Sequence, residues 1–373
     1  MRVRRVWWQC CLWWSLALWL TACASQPAPP DDYAAIAQEI QAHYEGDFDR
    51  LSPSKQRHYA QRLYRITGDD AYLPVNRRYV HQLLADLTRE LDGLARPGYT
   101  DDRARELLAD YSQRTAKQRA RQRMFEQWGD LIYARKLLFW LSQADDYGLL
   151  DCVENRQRAL DYLASVDFQA FLTDPEVLEV YAAQVANAVY YLHQLGIADL
   201  RADVIDAFRT HYPPQRNDEL DPASWRNKLY GMTHFVIAES QYYQRPVEAE
   251  RFGWIFDEFR DDLDRVLTVK EDILAEVGIS FLLTGQADDP AFSRVRQAVA
   301  EAYDPRARMI PGASGGLDFD RGEHRNVLAI MLFDWPDRLY PGPDFSATTE
   351  GERCRLAPLH ASKPLGTTAT VIN

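Results

Sequence analysis

The sequence predicts an all-α fold built from repeated helical hairpins, and two observations predict it. Almost every long segment places apolar residues at helical spacing, while the strict alternation of a half-buried strand is scarce. Similar apolar helices also recur at intervals of roughly 40 to 55 residues, each followed by a more polar, amphipathic partner. An apolar helix covered on most sides and a partner covered on one are what concentric packing demands. The implied form is an α/α toroid of about five or six hairpins, complete or incomplete; an open α-solenoid of the same hairpins is the alternative, because the repeat period is common to both.

Taken in order, the chain opens with the basic run Met1-Arg2-Val3-Arg4-Arg5 and continues through an apolar stretch from Val6 to Leu20. That stretch, about fifteen residues, falls short of the roughly twenty that span a bilayer as a permanent helix. It reads as a cleavable signal over residues 1–22. The segment closes on Leu20-Thr21-Ala22-Cys23, which resembles the lipobox of bacterial lipoproteins, where small residues admit a peptidase and the cysteine thiol is lipidated. Cys23 is therefore the expected lipidation site, followed by a polar, Pro-rich tether over residues 23–32. With Ala24 after the cysteine in place of an aspartate, the lipoprotein resemblance further implies sorting to the outer membrane, facing the periplasm.

The hairpins follow as a single domain over residues 33–340. A first pair is expected at 55–66 and 73–91, with an extra helix at 101–114. Five apolar helices come next, at 132–140, 185–195, 232–243, 275–283 and 326–335. The first four alternate with amphipathic ones at 155–171, 199–211, 247–267 and 290–303. From residue 341 to 373 a Pro-, Gly- and Thr-rich tail is expected to be irregular. Cys152 and Cys354 are the two cysteines beyond the signal and lipobox. An oxidising compartment allows them to pair, and nothing in their spacing decides whether they meet.

Charge narrows the partners. Loss of Arg2, Arg4 and Arg5 with the signal takes the formal charge from −12 to about −15. A chain so acidic lacks the general attraction to phosphate that nucleic-acid binding rests on, so no nucleic acid is expected. The expected partners are the membrane, through the lipid on Cys23, and a carbohydrate or another envelope ligand.

In a ring of hairpins the inner helices run parallel, so polar residues near their starts converge on one cleft. Three are the catalytic candidates. His234 shares a helical face with Tyr230 four residues earlier, which sets an imidazole beside a phenol. Glu276 sits in the apolar run Leu274-Ala275-Glu276-Val277-Gly278, where burial is expected to raise its pKa as in a general acid. His324 lies in Arg321-Gly322-Glu323-His324-Arg325-Asn326, directly before an apolar stretch. Tyr230, Glu323, Arg325 and Asn326 are the substrate-binding candidates, with Arg325 suited to clamping a carboxylate. The plainer reading of each is structural: a satisfied histidine, a buried ion pair, a cap. The types His234, Glu276 and His324 suit zinc, yet the His-x-x-x-His and Glu-x-x-His spacings are missing; no metal and no cofactor is expected. The loop Pro311-Gly312-Ala313-Ser314-Gly315-Gly316 lacks the Gly-Lys-Ser/Thr of a phosphate loop.

The segment Tyr230-Gly231-Met232-Thr233-His234-Phe235-Val236-Ile237-Ala238-Glu239-Ser240, with Ala275-Glu276-Val277-Gly278 and Gly322-Glu323-His324-Arg325-Asn326, resembles a family of proteobacterial proteins known as a domain of unknown function. The resemblance covers most of the chain and implies no activity. The paired helices are also similar to the α/α toroids of periplasmic polysaccharide lyases, glycoside hydrolases and sugar epimerases, a likeness of fold that carries no function with it. Two functions remain open from the sequence: acid/base chemistry on a carbohydrate or uronate, and non-catalytic binding or scaffolding of an envelope partner, peptide or glycan.

Overall fold

The computed structural model describes residues 32–346. Residues 1–31, with the expected signal and Cys23, and residues 347–373, with most of the expected tail and Cys354, lie outside the described residues. Cys152 is disulfide-bonded and is the only cysteine among the described residues, so its partner lies outside them. The described chain is all-α, without strands; its one bridge joins Asp304 to Met309.

Sixteen α-helices follow one another among the described residues. They are α1 (Tyr33–Gly46), α2 (Pro53–Thr67), α3 (Leu73–Gly93), α4 (Tyr99–Ala109), α5 (Ala116–Glu126), α6 (Leu131–Asp146), α7 (Arg156–Ser165) and α8 (Phe168–Thr173). The second half holds α9 (Pro175–Gln194), α10 (Arg201–His211), α11 (Pro222–Glu239), α12 (Gly253–Asp261), α13 (Leu263–Val266), α14 (Glu271–Leu283), α15 (Pro290–Glu301) and α16 (Phe319–Phe333). None of them is long and apolar enough to cross a membrane.

The five apolar helices of the sequence reading are α6, α9, α11, α14 and α16. Several start earlier than their apolar runs, because capping rather than hydrophobicity sets a helix start. Asp174 and Asp221 accept backbone N–H bonds from Glu176 and Val177, and from Ala223 and Ser224, each with a proline as the first helical residue. Asp318 accepts from Arg321 N at 3.0 Å and starts α16 seven residues before Asn326. Two expected outer helices are broken. The 155–171 segment splits into α7 and α8 where Val166 is extended and Asp167 caps Ala170, and the 247–267 segment splits into a 3-10 turn, α12 and α13. Helices α1 and α5 were not expected at all.

Contacts between helices run in a circuit: α2 packs on α3, α3 on α6, α6 on α9, α9 on α11, α11 on α14, α14 on α16, and α16 again on α2. Close approach of α11 to α9 depends on Gly231, where an added Cβ would stand 2.5 Å from Phe208 and 3.0 Å from Ala182. Helix α1 covers α16, with the Tyr44 ring stacked on Phe319 at 4.4 Å and its hydroxyl donating to Phe319 O.

The C-terminal ends of α2, α6, α9 and α11 meet. Gln194, at the end of α9, donates to Asp145 (2.8 Å) and Asp146 (3.0 Å) at the end of α6. Arg65, 2% exposed near the end of α2, donates to Gly342 O and to Tyr242 O just past α11, and pairs with Asp146. The segment after α16 is not helical, but it is held: Tyr340 N donates to Arg65 O and Phe345 N to Tyr147 O, both at 2.9 Å. Past α11 the residues Gln241, Tyr242 and Tyr243 all take positive φ (53°, 57° and 73°), a left-handed turn without glycine that costs roughly 1–2 kcal/mol per residue.

Candidate functional site

The site is built where α2, α9, α11, α14 and α16 face one another. Glu276, on the second turn of α14, is its centre and is 2% exposed. One carboxylate oxygen faces two imidazoles: His234 Nε2 of α11 at 3.7 Å and His324 Nε2 of α16 at 3.6 Å. The other oxygen accepts a hydrogen bond from Thr233 Oγ1 at 2.8 Å. The three catalytic candidates, far apart in sequence, are thus brought together. His234 Nδ1 hydrogen-bonds Asn187 Oδ1 of α9 at 2.8 Å, which leaves Nε2 as the atom turned to the carboxylate.

From His324 the polar chain continues into α2. His324 Nδ1 and His58 Nε2 are 3.3 Å apart, and His58 Nδ1 and Glu323 Oε1 are 2.6 Å apart. Lys55 Nζ lies 3.3 Å from the other oxygen of Glu323. A run of exchangeable groups therefore links Glu323, His58, His324, Glu276 and His234. Its members are buried except His324, which is half-buried and opens the chain toward solvent.

The two carboxyls are driven in opposite directions. Burial raises the pKa of Glu276, but the charges and hydrogen bonds of His234 and His324 outweigh it and hold the carboxyl well below its ordinary range. Burial also raises Glu323, and there Lys55, His324 and Arg62 only partly oppose it, so its pKa stays above the ordinary value. The sequence reading assigned the raised carboxyl to Glu276; the structure assigns it to Glu323, because Glu276 alone has two imidazoles against one oxygen. His58 is pushed well below the usual histidine range by burial and by Arg62, His324, Lys55 and Arg57.

The remaining expected residues divide. Tyr230 is beside the centre, but its ring centroid is 6.4 Å from that of His234 and its hydroxyl donates to Asp272 Oδ2 at 2.5 Å. Burial, Asp272 and Glu276 raise its pKa well above 10. Asn326 does not join the cluster: fully buried, it takes Ile310 N on its carbonyl and donates to Ile310 O and Gly322 O, fixing the 304–316 loop against α16. Arg325 does the same work from Nε to Ile310 O at 3.0 Å. Both were expected to bind substrate. They point elsewhere because the Arg321–Asn326 run lies inside α16, so its consecutive side chains turn around the helix by about 100° each. His234 is likewise in the middle of α11 and not at its start. Among the described residues no group of three or more His, Cys, Asp or Glu is disposed to hold a metal ion.

Sequence reasoning missed Lys55, His58 and Arg62. Their spacing, three and then four residues, puts them on one stripe of α2, and that cationic stripe on an expected helix was the available signal. Lys117 and Arg121 were missed because α5 was. Lys117 Nζ sits 4.9 Å from the centre of the Tyr230 ring, on an exposed residue. The protein packed near it and Arg121 lower its pKa, against the pull of Asp272 and Glu276.

Fold and site together define an all-α domain of paired helices whose centre is a buried carboxylate shared by two histidines from different helices. The chain belongs to the family described as Domain of unknown function (DUF3541), which it matches over residues 33–355. No curated protein and no solved structure matches it.

Proposed function

We propose that this protein is a lipid-anchored enzyme on the periplasmic face of the outer membrane that acts on a carbohydrate or uronate by acid/base catalysis. The chief support is the arrangement of His234, Glu276 and His324, in which two imidazoles from two helices face one carboxylate oxygen on a third, at 3.7 and 3.6 Å. Environments that push two carboxyls apart in pKa mark acid/base pairs. Here ionised Glu276 holds the imidazoles, while the Glu323–His58 pair supplies or stores a proton behind His324. The circuit of helix contacts supports a closed α/α toroid with this centre facing its cleft. The half-buried ring of His324 is the group positioned to exchange a proton with substrate.

Turnover of an oligosaccharide panel by the wild type, His324→Asn and Glu276→Gln tests this, with circular dichroism confirming the fold. Loss of turnover in a folded His324→Asn protein is the expected result; unchanged turnover refutes the reading. Lipidation at Cys23 is tested separately by labelled palmitate, which Cys23→Ser should fail to incorporate. A non-catalytic binding or scaffold role is the second reading, and the near-complete burial of Glu276 and Thr233 favours it, since a sealed network also serves to fix three helices. Under that reading the substitutions unfold the protein or change nothing.

A further inference from the structure

Five cations around the centre have no carboxylate at ion-pair distance among the described residues. Arg57, Arg62, Lys117, Arg121 and Arg135 form no ion pair among the described residues, although Lys55, Arg65 and Lys228 each do. Their contacts are neutral. Arg57 donates to Gln61 Oε1 at 3.1 Å and lies over the Tyr79 ring; Arg121 donates to Gln184 Oε1 at 2.8 Å and Val180 O at 3.0 Å. Arg62 lies over Tyr243, and Lys117 over Tyr230. Arg121 and Arg135 flank one ring, that of Tyr181, at 4.8 and 5.3 Å, at the point where α9 is kinked. Arg57 and Arg121 are buried, at 9% and 2% exposure, and the Nε atoms of Arg57, Arg62 and Arg135 are buried without a hydrogen-bond partner.

Buried charge without a counter-charge is costly, and in an acidic chain carboxylates are abundant enough to have supplied one. These cations also repel one another, since Arg135 and Arg121 act against each other and Arg121 acts against Lys117. Two of them act electrostatically on the acid/base centre, one from α2 and one from α5. Arg62 bears on His58 and Glu323, and Lys117 on Glu276. A missing anion is the simplest balance for such a set, and guanidinium groups suit planar carboxylates.

We infer that these five residues form the binding wall of an anionic glycan chain, with successive acidic groups of the ligand replacing the absent carboxylate partners. The inference rests on the carbohydrate reading above and supplies the charge of the substrate.

Titration calorimetry on the full mature chain tests it, with tetragalacturonate as the carboxylated probe, a sulfated tetrasaccharide as a second charged probe, and maltotetraose and cellotetraose as neutral ones. Binding of a charged probe, weakened by added salt and reduced tenfold or more in Arg62→Gln and in Arg135→Gln, is the expected result. The carboxylated and sulfated arms tell which acidic group is preferred. The paired variant Arg121→Gln/Arg135→Gln should melt at a higher temperature than wild type without ligand and lose the ligand-induced rise in melting temperature. Equal or tighter binding of the neutral probes, or no binding of either charged probe, overturns the inference. Glu276→Gln separates the two readings: a charged probe bound normally but left unchanged by wild type and variant alike leaves the cation wall standing and removes the acid/base chemistry.

Discussion

Glutamine at position 276 keeps the shape of the side chain and removes its charge, so its effect isolates what the buried carboxylate does. Glu276 accepts Thr233 Oγ1 at 2.8 Å and faces the Nε2 atoms of His324 and His234 at 3.6 and 3.7 Å. A hydrogen bond to a charged acceptor contributes about 1 kcal/mol more than one to a neutral acceptor. Losing the charge that faces two imidazoles adds about 1–3 kcal/mol when one of them is left uncompensated. Glu276→Gln should therefore destabilise the fold by about 2–4 kcal/mol at pH 7. The pH dependence has a definite sign. The folded pKa of Glu276 lies below its unfolded value of about 4.3, so its contribution is fully present above that value and is lost as pH falls toward the folded pKa. Urea unfolding followed by circular dichroism at pH 7, 5, 4 and 3 should give a wild-type-minus-variant gap that is present at pH 7 and narrows below about pH 4. A gap that is absent at pH 7, or one that widens as pH falls from 4 to 3, refutes the assignment of Glu276 as a buried, ionised carboxylate.

Three further outcomes follow from packing and backbone. Lys228 is fully buried, ion-paired with Glu258 and donating to Asn217 Oδ1 at 2.5 Å; Lys228→Met should cost about 3–5 kcal/mol, and adding Glu258→Leu should recover part of it, as a double-mutant cycle in urea will show. Gly231→Ala, which drives a methyl group into Phe208 and Ala182 between α11 and α9, should lose about 1–2 kcal/mol after the helix-propensity gain is subtracted, read as a lower melting temperature. Gln241→Gly should do the opposite: the exposed Gln241 begins the left-handed turn with φ 53°, so removing its Cβ should stabilise the protein by about 1 kcal/mol in urea.

The helical class and the alternation of apolar and amphipathic helices were legible because they depend on local periodicity, which each segment carries within itself. Helices α6, α9, α11, α14 and α16 all contain or overlap their expected runs. Their starts were less legible only because apolar residues were followed instead of caps; Asp174-Pro175, Asp221-Pro222 and Asp289-Pro290 mark three starts in the sequence itself. Helix α5, Ala-Lys-Gln-Arg-Ala-Arg-Gln-Arg-Met-Phe-Glu, has too few apolar residues for a periodicity argument, and its Thr115–Gln118 capping box was the remaining signal.

What the sequence determined by itself was residue type and local conformation: an all-α chain, a set of costly polar groups at 234, 276 and 324, and the helices that carry them. Tertiary structure decided which of those groups meet. Asn326 and His324 are two residues apart on one helix, yet one is sealed against a loop and the other faces Glu276, because a helix turns about 100° per residue and only the packing of its neighbours selects the inward face. The same packing gave Glu276 its two imidazoles and left Glu323 with burial uppermost, so two glutamates of identical intrinsic chemistry were set on opposite sides of the ordinary carboxyl pKa.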